Sequence, residues 1–201
     1  MPDKKTNLEQ QMIRHCAPVL AGMKVANLFR YQAETEECLQ KEMEGVSQKL
    51  NVKGVYLEIV RRFEKGVLIY VFRRDRLEVE LKKPENDALL ARYGYGKLMC
   101  QHPESTCQKR IGDFCLEHLK ARIRNSEEFP HEIGIFLGYP HEDVKGFIDH
   151  QGKDFLFSGI WKVYANPESA RDLFAKFKKC KTVYEKLYSE GRSISKLTVA
   201  A

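Results

Sequence analysis

The segment GVYLEIVRRFEKGVLIYVFRR, residues 54–74, constrains the fold more than any other part of the chain. Two runs rich in Val, Ile, Tyr and Phe flank FEKG. Residues of that kind fit a pleated, half-buried surface, and the polar interval ending in glycine suits a turn. Two or three neighbouring antiparallel strands are expected, with the second run read on through RDRLEVEL. Before them, ETEECLQKEMEGVSQKLN places Leu39, Met43, Val46 and Leu50 at spacings of four, three and four. That is one stripe of an amphipathic helix with a face to bury. Earlier still, the apolar residues around HCAPVLAGMKVANLF predict a short helix, a break at Pro18 and a second helix, because proline lacks the N–H donor and fixes φ.

Beyond the strands, Pro84 opens a helix that runs through Tyr93 and ends at YGYG. Over residues 106–123, Cys107, Ile111, Phe114, Cys115, His118 and Leu119 share one helical face. HEIGIFLGY reads as a strand, and HEDVKGFIDHQG reads as a short helix with Val144, Phe147 and Ile148 inward. FLFSGIWKVYA reads as another strand. The last helix is the clearest: Asn166 caps it, Pro167 fits its first turn, and Ala170, Leu173, Phe174, Phe177, Tyr184, Leu187 and Tyr188 form its stripe before Gly191. The expected class is α+β: a helical N-terminal arm over residues 1–50, then a body over residues 51–201. That body holds a small mixed or antiparallel sheet and a C-terminal strand–helix–strand–helix with a long final helix, all in one compact domain of 201 residues.

Hydrophobic content of 43% and charged content of 31% fit a soluble globular protein. No apolar run approaches the roughly 20 residues that span a bilayer. The opening MPDKKTNLEQ lacks the apolar core of an export signal, so a cytoplasmic location without membrane partners is expected, and the six cysteines should be mostly reduced thiols. A net charge of +6 suggests an anionic partner, but 28 acidic residues interleave with 34 basic ones. Nucleic acid is possible without being indicated; an acidic protein carrier or an anionic small molecule satisfies the charge equally well.

Three constellations bear on chemistry. Cys100, His102, Cys107, Cys115 and His118 are residues of the types zinc takes, yet Cys107 and Cys115 on one helix lie roughly 12 Å apart along its axis at 1.5 Å per residue. No CxxC pair is present, so buried small apolar cysteines are the plainer expectation. In PHEIGIFLGYPHEDVKGF, His131 and Glu132 are adjacent, so on a strand they point to opposite faces, and either could serve as an acid–base group. Gly134 and Gly146 interrupt a strand and a helix, each costing roughly 0.5–1 kcal/mol relative to alanine. Such glycines mean either close packing or room for a flat ligand. Gly138, Tyr139 and Pro140 make a corner, and Asp143 lies in the helix's first turn, where carboxylates repel a phosphate. The glycine spacing matches no nucleotide-binding loop. In SGIWKVYAN, Trp161 is either core or, with Lys162 and Tyr164, the wall of a site for an anionic aromatic ligand if a bulge or twist brings the three together. There is no GxSxG, HExxH or paired-carboxylate signature.

The block PHEIGIFLGYPHEDVKGF, with GIWKVYAN, the F…FKKC…Y helix and the N-terminal HCAPVLAGMKVANLF, resembles the family known as domain of unknown function 3793, found mainly in anaerobic bacteria. The resemblance spans most of the chain. It emphasises Pro130, His131, Glu132, Gly134, Gly138, Tyr139, Pro140, Asp143, Gly146, Trp161 and Tyr164 without assigning them roles. It implies an accessory of iron, haem or flavodoxin-linked metabolism.

Three readings follow. The first is a protein that binds a planar anionic ligand, such as haem or another tetrapyrrole, or docks an acidic electron carrier such as flavodoxin, with His131 as axial ligand or proton donor. The second is a small-molecule enzyme with His131 or Glu132 as acid–base group and Lys162 or Tyr164 as anion holder. The third is a protein–protein adaptor whose motif is a rigid corner.

Overall fold

The structure, a computed structural model, describes residues 7–96, 110–126 and 128–200. The fold is α+β, and the chain separates into two compact units, Met1–Arg73 with Ala175–Ala201, and Arg74–Phe174.

The first unit is built on the expected hairpin. Strands β2 (Val55–Phe63) and β3 (Gly66–Arg73) pair antiparallel, with Phe63 opposite Gly66 across a two-residue turn. Gly66 has φ 102°, and a Cβ there would lie 2.4 Å from the Tyr31 carbonyl oxygen, so only glycine fits. Alternation on β3 divides the sheet: Val67, Ile69 and Val71 enter the core, while Leu68, Tyr70 and Phe72 face the other way. Helix α1 (Leu8–Leu20) and helix α2 (Glu36–Leu50) supply the core's other wall through Met12, Ile13, Leu39, Val46 and Leu50. The oxygen of Asn7 accepts from the Gln10 N–H at 2.9 Å, and that of Thr35 accepts from the Cys38 N–H at 3.1 Å, satisfying donors that a helix start leaves open.

The region after Pro18 departs from expectation. The helix continues through Pro18 to Leu20, and the predicted second helix is instead strand β1 (Ala26–Tyr31), giving the sheet order β1–β3–β2. Pro18 sits in the last turn, where it does little damage. Its carbonyl takes the N–H groups of Met23 and Lys24, and Gly22 at φ 72° swings the chain toward the sheet. Six residues of β1 then pair with β3 from Ala26 opposite Phe72 to Tyr31 opposite Val67. A strand partner distant in sequence overrides local helix preference. Arg73, 2% exposed, ends β3 by donating to the carbonyls of Val19, Leu20 and Val199 at 2.6–2.8 Å. A buried cation there satisfies the open carbonyls of α1.

The second unit holds α3 (Arg74–Leu81), α4 (Pro84–Ala91), α5 (Ile111–Asn125), α6 (Ile133–Phe136), α7 (His141–Asp149) and a hairpin of β4 (Phe157–Ser158) and β5 (Lys162–Val163). RDRLEVEL, expected to continue β3, is helix α3. Leu77 and Leu81 fall on one buried face, and Glu78 accepts the Gly112 N–H at 2.9 Å. The predicted strand HEIGIFLGY is a single helical turn. Ile133, Ile135, Phe136 and Leu137 are all buried, so no solvent face existed for a strand to alternate toward, and Gly138 at φ 70° reverses the chain. The predicted strand FLFSGIWKVYA breaks into a tight hairpin, Phe157 opposite Val163 and Ser158 opposite Lys162. The long helix α8 (Pro167–Ser189) gives its first residues to this unit and the rest to the first. There Tyr184, Leu187 and Tyr188, with Ile194 and Leu197 of the short α9 (Ile194–Leu197), join the core around α1. Residues 8–50, in the region expected as a helical arm, share that core with β2 and β3.

Candidate functional site

The second unit contains an open cleft of about 1010 Å³. One wall comes from α6 with the turn before it and from α7, through His131, Gly134, Val144 and Phe147; the other comes from the β4–β5 hairpin, through Ser158, Ile160, Trp161 and Lys162. Ligand clefts of this size, apolar with a few polar groups, are the usual form of a small-molecule site.

Packing explains how the two walls are held. Gly134 lies so close to α7 that a Cβ would stand 2.7 Å from Cγ2 of Val144. A Cβ on Gly146 would stand 2.5 Å from the Tyr164 ring, and one on Gly159 would stand 2.2 Å from the Phe174 ring. These glycines admit neighbouring side chains rather than a ligand. Asp143, 3% exposed, ties α7 to the hairpin: one oxygen accepts from the Trp161 indole at 2.7 Å, the other from the backbone of Tyr164 and Ala165 at 2.8 and 2.9 Å. Trp161 stacks on Tyr139 with ring centres 4.7 Å apart and meets Phe174 edge-on at 4.5 Å. Burial pushes the Tyr139 phenol up to about 12, so it is neutral at ordinary pH.

The polar groups left for a ligand are few. His131 is exposed, and its ring meets Phe147 edge-on at 5.0 Å. The ammonium of Lys162 donates to the Gly152 carbonyl at 2.6 Å and lies 4.9 Å from the Phe155 ring centre and 5.6 Å from that of Phe147. An ammonium has three donors, so two can serve an anion. The tight turn at Gly159 brings Trp161 and Lys162 into one cleft, which an unbroken strand would have kept on opposite faces.

Glu132 goes elsewhere. It is fully buried, outside the cleft lining, and its Oε1 takes the guanidinium of Arg122 at 2.5 Å and the Tyr95 hydroxyl at 3.2 Å. Its Oε2 has no hydrogen-bond partner among the described residues. Burial first, then the Glu132 charge, raises the Tyr95 phenol far above its ordinary range. Arg122 also lies over Tyr93, whose carbonyl meets Nε2 of His118 at 2.9 Å. His131 and Glu132 thus point apart, and no shared acid–base pair forms. Gly138 and Pro140 line a second hollow of about 290 Å³ with Asn86 and His141, and Tyr139 borders both spaces. Tyr164 lies against Gly146 and His150, away from the cleft, its hydroxyl unpaired among the described residues.

Of the residues the sequence singled out on the 129–147 corner and the 158–166 strand, His131, Gly134, Tyr139, Asp143, Trp161 and Lys162 line this cleft; Phe129 and Ile160 lie on those segments without having been singled out, and Gln151 lies outside them. Phe129 and Ile160 are 36% and 44% exposed, and large apolar residues in short loops beside a conspicuous motif were the available signal.

Of the cysteine–histidine set, Cys100, His102 and Cys107 lie outside the described residues. Cys115 is buried, which pushes its thiol up to about 12. No group of three or more His, Cys, Asp or Glu among the described residues is placed to hold a metal ion. None of the described helices is long and apolar enough to cross a membrane.

Fold and cleft together define an α+β protein with a largely apolar pocket edged by the His131 imidazole, the Lys162 ammonium and the exposed Glu128 carboxylate. The chain belongs to the family described as Protein of unknown function (DUF3793), whose pattern matches residues 12–198. Comparison with curated proteins and with solved structures gives no match.

Proposed function

We propose that this protein binds a flat, anionic small molecule in the cleft between α7 and the β4–β5 hairpin. The observation that carries the reading is the convergence of Trp161, Phe147 and the Lys162 ammonium on one open space of about 1010 Å³. Aromatic walls favour a planar apolar body, and a cation with free donors at the edge favours a carboxylate on it. Haem or another tetrapyrrole, a disc with propionates, has that chemistry, and His131 at the rim is its axial ligand in this reading. The protein then acts as an accessory of iron or tetrapyrrole metabolism that holds its ligand. The acid–base alternative has less support, because the Glu132 carboxylate is engaged by Arg122 and Tyr95 in the interior.

Titration with haem, with a flavin and with a metal-free tetrapyrrole tests the proposal. Trp161 is the chain's only tryptophan and lines the cleft, so its fluorescence reports occupancy directly. Saturable quenching that Lys162→Gln weakens, with a haem Soret band that His131→Ala shifts, is the expected result. Absence of saturable quenching by all three compounds overturns it.

A further inference from the structure

We infer that a second site, on the sheet of the first unit and independent of the cleft, docks a protein partner through acidic side chains. It is formed by Arg30, Arg61 and Phe63. Arg30 on β1 and Arg61 on β2 both stand opposite Leu68 of β3, so their side chains leave the same face of the sheet. Because Phe29 and Tyr31 enter the core, that face is the one turned away from α1 and α2. A register shift between Ile59 and Arg61 creates the arrangement: regular pairing would set Val60 opposite Leu68, and the bulge puts a guanidinium there instead. One row on, Phe63 pairs with Gly66, which has no side chain to cover the ring.

Both guanidiniums converge on that ring, Arg30 at 4.6 Å and Arg61 at 5.4 Å from its centre. Phe63 is 37% exposed. Arg30 donates one bond, to the Lys65 carbonyl at 3.1 Å, and Arg61 makes no hydrogen bond or ion pair among the described residues. The neighbouring Arg62, on the opposite face, shows what the chain does when it satisfies an arginine internally: Glu36 binds it through two bonds of 2.8 and 2.9 Å. Among the described residues no carboxylate binds Arg30 or Arg61 in that way. A planar fork of N–H donors matches an incoming carboxylate, and arginine and aromatic side chains are both enriched at protein interfaces.

The occupant is a protein rather than a nucleic acid because of what surrounds the patch. Glu58 lies one row away on the same face, opposite Tyr70, and Glu64 follows Phe63 in the turn. A continuous polyanion crossing the patch meets those carboxylates, whereas discrete acidic side chains around an apolar contact do not.

The probe is a fluorescein-labelled peptide of alternating glutamate and leucine, with a labelled single-stranded oligothymidylate as competitor class, both read by anisotropy at low and physiological salt. Expected is saturable, salt-weakened peptide binding that falls about tenfold or more in the Arg30→Gln, Arg61→Gln double variant, since two charge-assisted contacts are lost. Lys41→Gln, on the exposed side of α2 and matched in charge to Arg61→Gln alone, leaves it unchanged. Circular dichroism checks folding, and Arg61→Gln alone, which breaks no internal hydrogen bond, serves if the double variant is unstable. No peptide binding, equal loss in Lys41→Gln, no loss in the arginine variants, or tighter arginine-dependent binding of the oligonucleotide overturns the inference.

Discussion

The indole N–H of Trp161 donates to the Asp143 carboxylate at 2.7 Å, a bond that joins the floor of the cleft to the first turn of α7. The same carboxylate holds the backbone of Tyr164 and Ala165, so one acidic side chain ties α7 to the turn and to the outgoing end of the hairpin. The carboxylates at this helix start, read from sequence as a bar to phosphate, include one whose oxygens are fully engaged within the protein.

Asp143→Ala leaves one buried and two half-buried donors without their acceptor and should lower stability by about 2–3 kcal/mol. Asp143→Asn keeps one accepting oxygen and should fall between the two. Thermal melts measure the loss, and a red shift of Trp161 emission should accompany it. A melting temperature equal to the wild type's would show that the clamp contributes nothing.

Replacing glycine by alanine inside a helix ordinarily stabilises by roughly 0.5–1 kcal/mol. At Gly45 of α2, where an added Cβ meets nothing within 4 Å, that gain should appear. At Gly146 of α7 the sign should reverse, because the Cβ would strike the ring and Cβ of Tyr164 at 2.5 and 2.6 Å; the expected loss is about 1–3 kcal/mol. Urea melts of the two variants, compared side by side, decide the matter.

Lys24 is 6% exposed, and its ammonium donates to Asn27 Oδ1 at 2.8 Å. Burial lowers its pKa from 10.5 to about 8, with the Cys16 charge opposing. The unfolded chain therefore holds the proton more tightly than the folded one. Below pH 8 both states carry it and the folded state bears the full penalty; above that, stability rises with pH until the unfolded lysine also deprotonates near 10.5. Wild type should gain about 2 kcal/mol relative to Lys24→Met between pH 7.5 and 9.5. Parallel stability curves across that interval would contradict it.

Cys38 is exposed, whereas Cys16 and Cys115 are fully buried, and burial pushes both of those thiols up to about 12. Alkylation of the native protein at pH 8 should modify Cys38 promptly and leave Cys16 and Cys115 intact until denaturant is added. Peptide mass mapping over time gives the order. Rapid native modification of Cys115 would show that its helix opens far more readily than its packing implies.

The elements legible in the sequence were those whose pattern is self-sufficient. The Val55–Arg73 hairpin carries its turn glycine, α2 its Leu39–Met43–Val46–Leu50 stripe, and α8 its proline start. Strand β1 was not legible, since Ala26–Tyr31 becomes extended only by pairing with β3 about forty residues on. Ile133–Phe136 was not legible either: a short apolar run buried on every side has no period to distinguish turn from strand. At the site, the motif drew attention to His131, Trp161 and Lys162. It said nothing of Glu132's partner, because Arg122 lies on a separate helix and only the fold brings it near.

The first unit is discontinuous, with Ile194, Leu197 and the Val199 carbonyl completing a core begun by residues 8–73. On the ribosome, which releases a chain from its N-terminus, the intervening Arg74–Phe174 segment is made before that core can close. The sheet emerges early together with α1 and α2, and the last strip of their shared core, Ile194 and Leu197, can be added only after the whole intervening segment has been made.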